Sequence, residues 1–196
     1  IAPHVPIDGK LQVIDRYTNT IFDAAAGIYS NVDDVAKWLQ FNLDKGKVNG
    51  KQIISEKQMK EMITPQTLQK VGTTPPYNSL FKAYGLGWQL QDFNGKLEVS
   101  HTGGLEGIVT QTIFYPQLNL GIVVLTNQQA GVAFNSVSNT IKDFYLGNPE
   151  KDWVQTYDQL MKSRVAEADG ITDEVWKTVE ANQKNKKLKV DTKSLV

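Results

Sequence analysis

The chain has 196 residues, 40% of them hydrophobic, which suits one compact unit with a sizeable core, with or without an appendage. Its 21 lysines and arginines balance its 21 aspartates and glutamates, so bulk charge argues against nucleic-acid and anionic-membrane partners, and no window approaches the roughly 20 apolar residues that span a bilayer. The lack of cysteine excludes disulfides, thiolate catalysis and Cys-type zinc sites. Ile1 stands where a methionine would, with no signal-like stretch after it, and this reads as a chain processed or cut from a larger one.

Pro3 and Pro6 favour an extended entry, Asp8-Gly9 signals a turn, and residues 11–14 suit a short strand. The first clear helix is expected over 31–44. Val32, Val35, Ala36, Leu39 and Leu43 share one face, Ser30 with Asp33 resembles a capping box, and Gly46 terminates. A shorter helix over 56–63 has Ser55 and Gln58 as its capping box and stops at Pro65. Residues 64–82 read as a long loop, a length often tied to function.

A run of antiparallel strands follows. They are expected at 84–92, 96–101, 107–115 and 120–126, with Asn94-Gly95 as the hairpin turn and Ile122-Val123-Val124-Leu125 buried on both faces. A closing helix over 132–146 carries Ala133, Val137, Ile141, Phe144 and Tyr145 as its apolar face, and ends at Gly147 and Pro149. Two further helices are expected between 150 and 182, broken at Asp169-Gly170, and a lysine-rich tail fills 183–196. The elements alone divide the chain into a unit at 1–149, a helical extension at 150–182 and a tail or linker. The chain shows no internal repeat.

The most informative string is Ser100-His101-Thr102-Gly103-Gly104, expected where one strand ends and the next begins. Glycine lets a bound molecule approach the main chain, whose N–H and C=O groups can then pair with it. Two hydroxyls and an imidazole beside them make one wall of a site. His101 is the candidate catalytic residue, and Ser100, Thr102, Gly103 and Gly104 are candidate substrate-binding residues. The other histidine, His4, reads as solvated near a frayed end. No histidine spacing supports a metal site, and no cofactor is expected.

The order helix, helix, long loop, strands, His-Thr-Gly-Gly, strands, closing helix resembles the back half of the serine β-lactamase and penicillin-binding-protein superfamily, in its class C-like, esterase-like branch. Ala25-Ala26-Gly27-Ile28-Tyr29-Ser30 with Asp34-Val35-Ala36-Lys37-Trp38, Tyr84-Gly85-Leu86-Gly87-Trp88, His101-Thr102-Gly103-Gly104 and Val123-Val124-Leu125-Thr126-Asn127 carry the likeness, over about residues 20–147. It implies an α+β fold, an antiparallel sheet with packed helices, here partial and followed by the helical extension. It implies acyl transfer: a Ser-x-x-Lys motif for the nucleophile and its base, a Tyr-x-Asn motif for a second proton carrier, and a third motif opposite that contributes to the oxyanion hole. Histidine replaces the usual lysine of the third motif. That favours an esterase or D-amino-acid peptidase relative over a true β-lactamase or transpeptidase.

Ser79-Leu80-Phe81-Lys82 fits Ser-x-x-Lys in form only, because it precedes a strand instead of opening a buried helix. Tyr29-Ser30-Asn31 reads as part of a helix start, and Tyr17-Thr18-Asn19 as a loop that lines a cleft at best. Trp88, Trp38 and Phe114 read as core, no carboxylate pair suggests a glycosidase, 103–107 lacks the setting of a phosphate loop, and the lysines over 184–189 read as solvated. The expectation is a piece of a serine hydrolase of ester, amide or peptide-like bonds, inactive alone. Its partners would be a small-molecule or peptide-like substrate, the N-terminal portion of the same protein, and a second copy through exposed sheet surface. A periplasmic or secreted bacterial setting follows from the resemblance only. Two alternatives stand beside it: a non-catalytic binding or scaffold domain of the same fold, and a small complete domain of unrelated function.

Overall fold

The structure, a computed structural model, describes residues 1–7, 9–18, 21, 23–71 and 79–184. In chain order the strands and helices are β1 (His4–Ile7), β2 (Lys10–Val13), α1 (Asp23–Ala26), α2 (Val32–Leu43), β3 (Lys47–Val48), β4 (Lys51–Gln52), α3 (Glu56–Met62), β5 (Thr67–Leu68), β6 (Lys82–Tyr84), β7 (Gln89–Phe93), β8 (Lys96–Leu105), β9 (Ile108–Tyr115), β10 (Leu120–Thr126), α4 (Gly131–Leu146) and α5 (Trp153–Lys184). Strands β5 to β10 form one antiparallel sheet in the order β10-β9-β8-β7-β6-β5. The expected α+β architecture is therefore present: a meander with helices against it.

Alternation along the strands gives the sheet two faces. Val99, Leu90, Ala83 and Phe114 face one way and pack with Leu39 and Leu43 of α2. Ile113, Tyr115, Ile122 and Val124 face the other way and pack with Phe134 and Ile141 of α4. The sheet is thus the middle layer between α2 and α4. Asn94 and Gly95 both have positive φ, 48° and 71°, which suits the tight turn that pairs Phe93 with Lys96.

Several local expectations need correction. The cap of α2 is Asn31, whose side chain accepts from the Asp34 amide at 3.0 Å, while Ser30 makes only a 3.5 Å contact with the Asn31 carbonyl. The carboxylate of Asp34, hydrogen-bonded by Lys37 and Asn31, is held below the usual range. The expected strand at 84–92 is a hairpin: Gly85 N–H bonds the Trp88 carbonyl at 2.8 Å, Gly87 sits at φ 81°, and β6 folds back on β7. Leu125 is 39% exposed, so the last strand is buried fully only at Ile122 and Val124. Trp38 is partly exposed, stacked on Phe41, whereas Trp88 and Phe114 are core and meet edge to face. The capping box at Ser55 and Gln58 is present as expected.

The face of α4 is also rotated from expectation. Val137, Phe144 and Tyr145 are exposed, and Phe134, Ser138, Lys142 and Asp143 turn inward. Polar pairing explains the rotation. Lys142 Nζ meets Glu98 Oε2 at 3.2 Å, Gln91 donates to Glu98 Oε1 at 2.8 Å, and the Tyr115 hydroxyl donates to the same carboxylate. Lys142 also lies 4.6 Å from the Phe93 ring centre. A hydrophobicity pattern cannot register a lysine that turns inward to meet a buried glutamate.

His4 is tied down, not frayed. Its Nδ1 lies 3.0 Å from the Asn127 carbonyl, and its backbone joins Gly107 and Gln129. Gly107 has φ 74°, and a Cβ there would come within 2.7 Å of His4 N. The N-terminal hairpin therefore sits against the β8–β9 turn because Gly107 of that turn has no side chain.

Cα proximity divides the chain into Ile1–Trp153 and Val154–Val196. The second unit is described only as α5, which continues without a break through Asp169-Gly170. A helical glycine costs about 1 kcal/mol relative to alanine, which is not enough to end a helix of this length. Of the expected tail at 183–196, residues from 185 on lie outside the described residues. Among the described residues no helix is long and apolar enough to cross a membrane.

Candidate functional site

Strand β8 carries the Ser-His-Thr-Gly-Gly string through its middle and on to Leu105, so these residues are not at a strand end as expected. The strand owes its length to β9, which pairs with it from Val99 to Leu105. On its other side β7 stops short: the last pair is Gln89 with Ser100. Among the described residues no strand pairs with 101–105 on that side. Half of the main-chain N–H and C=O groups of a strand point to each edge, so this stretch offers a free hydrogen-bonding edge.

Alternation splits the string. His101 and Gly103 lie on the face of Val99, whereas Ser100 and Thr102 lie on the opposite face with Glu98. Ser100 is buried; the other four are exposed. By register Ser100 pairs with Gln89, and Thr102 with Gln111. The side-chain carbonyls of both glutamines are buried without a hydrogen-bond partner. A Cβ on Gly104 would meet nothing within 4 Å, while one on Gly103 would reach Thr110 Oγ1 at 2.5 Å.

His101 is not alone. Tyr84 Oη lies 3.0 Å from its Nε2, with the two rings edge to face at 6.3 Å. Thr112 Oγ1 donates to the His101 carbonyl at 3.3 Å. Sequence reasoning missed Tyr84, because it ran 84–92 as one straight strand and so carried Tyr84 away from β8. The only available signal was the Gly-Leu-Gly spacing, which permits a turn.

The other motif matches are accounted for locally. Ser79 Oγ donates to the Asp92 carbonyl at 2.9 Å, and Asp92 Oδ1 accepts from the amides of Leu80 and Phe81. Ser79 thus lies in the loop before β6, held to Asp92 of β7, and Lys82 opens β6. The Tyr29 hydroxyl donates to the Tyr17 carbonyl at 2.9 Å. The Tyr17 hydroxyl is raised above the usual phenol range by lost hydration first, then by Glu106, Asp23 and Tyr29, and Asn19 of its motif lies outside the described residues. Among the described residues no cluster of His, Asp and Glu is suited to hold a metal ion.

The geometry brings together an imidazole, a phenol hydroxyl, small residues and an open strand edge, a combination that can orient a ligand and offer it hydrogen-bond donors.

Comparison with known proteins places the chain in a family. The family model described as Beta-lactamase matches residues 3–144. The chain is 28% identical over 149 residues to "Unguisins hydrolase ungD" of Aspergillus violaceofuscus (strain CBS 115571), covering 70% of this chain and 26% of that protein. Its fold is similar to that of the octameric penicillin-binding protein homologue from Pyrococcus abyssi. There the TM-score is 0.59 at 21% identity, over 77% of this chain and 32% of that one. The chain therefore spans about a quarter of the curated relative and about a third of the solved structure. With its antiparallel sheet held between α2 and α4 and a family match over most of its length, the chain belongs to the beta-lactamase family, among the serine β-lactamases and penicillin-binding proteins.

Proposed function

We propose that this chain supplies the sheet-side wall of a serine hydrolase that cleaves ester, amide or peptide-like bonds through an acyl-serine. The free edge of β8 from His101 to Gly104 carries the proposal. A substrate laid along it would pair with main-chain groups, with His101 beside it and no Cβ at Gly103 or Gly104 in its way. Donors on that edge would hold the developing oxyanion. The only Ser-x-x-Lys of the sequence runs from a loop into β6 and does not open a helix, so the nucleophile, its lysine and the second proton carrier would come from the N-terminal portion of a longer protein. That portion would cover the exposed face around His101, and a second copy is the competing occupant. The curated relative is named a hydrolase, which agrees in reaction class. Histidine in place of lysine in the third motif supports an ester or D-amino-acid peptide substrate over one recognised by its carboxylate.

Activity-based labelling tests the reading. The isolated chain should take up neither a fluorophosphonate nor a penicillin probe, and a protein that includes the upstream portion should be labelled at one serine. Stoichiometric labelling of the isolated chain at any serine would overturn it. An unlabelled longer protein would favour the binding-domain alternative.

A further inference from the structure

A neutral imidazole carries one ring proton, and the partner of one nitrogen fixes which nitrogen holds it. Tyr84 Oη is 3.0 Å from His101 Nε2. A phenol oxygen delocalises its lone pair into the ring, so it donates better than it accepts. With the Tyr84 hydroxyl donating, Nε2 must be the unprotonated nitrogen, and the proton sits on Nδ1. The arrangement is braced: the two rings meet edge to face, and Thr112 holds the His101 carbonyl. The imidazole remains exposed.

We propose that Tyr84 is a positioning residue that locks His101 as its Nδ1–H tautomer, so that the wall presents a hydrogen-bond donor to a ligand oxygen and not a general base. A neutral carbonyl oxygen, as in an ester or amide, is the chemical partner such a donor fits. Only the ligand clause rests on the hydrolase reading above; the tautomer is a property of the chain alone. Nε2 is engaged by Tyr84, so the nitrogen best able to take a proton is already occupied.

Nitrogen NMR of the uniformly ¹⁵N-labelled chain decides this. The sequence has two histidines, and His101→Gln identifies the His101 signals by their loss. The spectrum is taken at alkaline pH, where an imidazole is neutral. His101 Nδ1 should resonate as a protonated, pyrrole-type nitrogen and Nε2 as an unprotonated, pyridine-type one. Tyr84→Phe keeps the ring and removes the hydroxyl; the two shifts should then move in opposite directions toward the Nε2–H form. Backbone amide signals distant from β6 to β8 should stay in place and report that the variant folds. A protonated Nε2 in the wild-type chain overturns the proposal, as does a tautomer unchanged by Tyr84→Phe. Should that variant not fold, the wild-type Nε2 shift still decides. Failure of the labelling experiment would leave the tautomer result standing, and the reverse holds too.

Discussion

At the scale of single residues, the two adjacent glycines of β8 make different demands. Gly104 has open space where a Cβ would go, and Gly103 faces Thr110 Oγ1. Gly104→Ala should leave the chain as stable as before or raise its stability by about 0.5 kcal/mol, since a strand glycine loses more entropy on folding than alanine. Gly103→Ala should lower stability by about 1 kcal/mol, because Thr110 must leave its rotamer. Urea unfolding of both variants checks the difference. If β8 is a ligand edge, Gly104→Ala in a longer, active protein should impair turnover without harming stability. Asn31 illustrates a different residue-scale lesson. Both Ser30 and Asn31 are good N-cap types, and the sequence pattern offered a partner three residues on for each. Backbone geometry chose Asn31, at φ −130° and ψ 170°.

At the scale of elements, α4 is held to the sheet by charge as well as by apolar packing. Glu98 and Lys142 are 2% and 5% exposed, so neither can return to water without the helix lifting. Removing one partner leaves a buried charge uncompensated, at a cost of about 3–5 kcal/mol. Lys142→Met should therefore destabilise the first unit by about that much. The double variant Glu98→Gln with Lys142→Met should recover part of the loss, because no carboxylate is then left without its cation. A double-mutant cycle from denaturant unfolding measures the coupling; a coupling near zero would show that packing alone holds α4. The β6–β7 hairpin is the element that completes the candidate site. It returns the chain at Gly85–Trp88 so that Tyr84 reaches His101, and it ends β7 where the edge of β8 becomes free.

At the scale of the whole molecule, stability should be unevenly distributed. The first unit has two buried clusters, one on each face of its sheet. In the second, Val165, Ile171, Val175 and Trp176 of α5 are each more than half exposed. Over that stretch α5 draws little from apolar packing among the described residues, and most helix stability in proteins comes from such packing. Amide hydrogen exchange should accordingly be slow in β8 to β10, at the level of global unfolding, and orders of magnitude faster from residue 158 to 184. Gly170→Ala should slow exchange along α5, since a Cβ there meets nothing within 4 Å. Equal protection in the two units would contradict this distribution.

The sequence by itself determined the order and type of most elements, because these follow from local chemistry. Apolar residues at helical spacing gave α2, Ser55 and Gln58 gave the start of α3, and Asn94-Gly95 gave a turn that needs positive φ at both positions. It set the Ser-His-Thr-Gly-Gly string at the end of a strand, whereas β8 carries the string on to Leu105. Only the tertiary structure decided how far each strand finds a partner and what each polar side chain meets. The free edge of β8 exists because β7 turns away after pairing Gln89 with Ser100, and the Tyr84–His101 bond joins residues that only the hairpin brings together. The inward turn of α4 depends on Lys142 meeting Glu98 across 44 positions of chain. Pairing partners and buried charge partners are set by contacts distant in sequence, and local pattern carries no record of them.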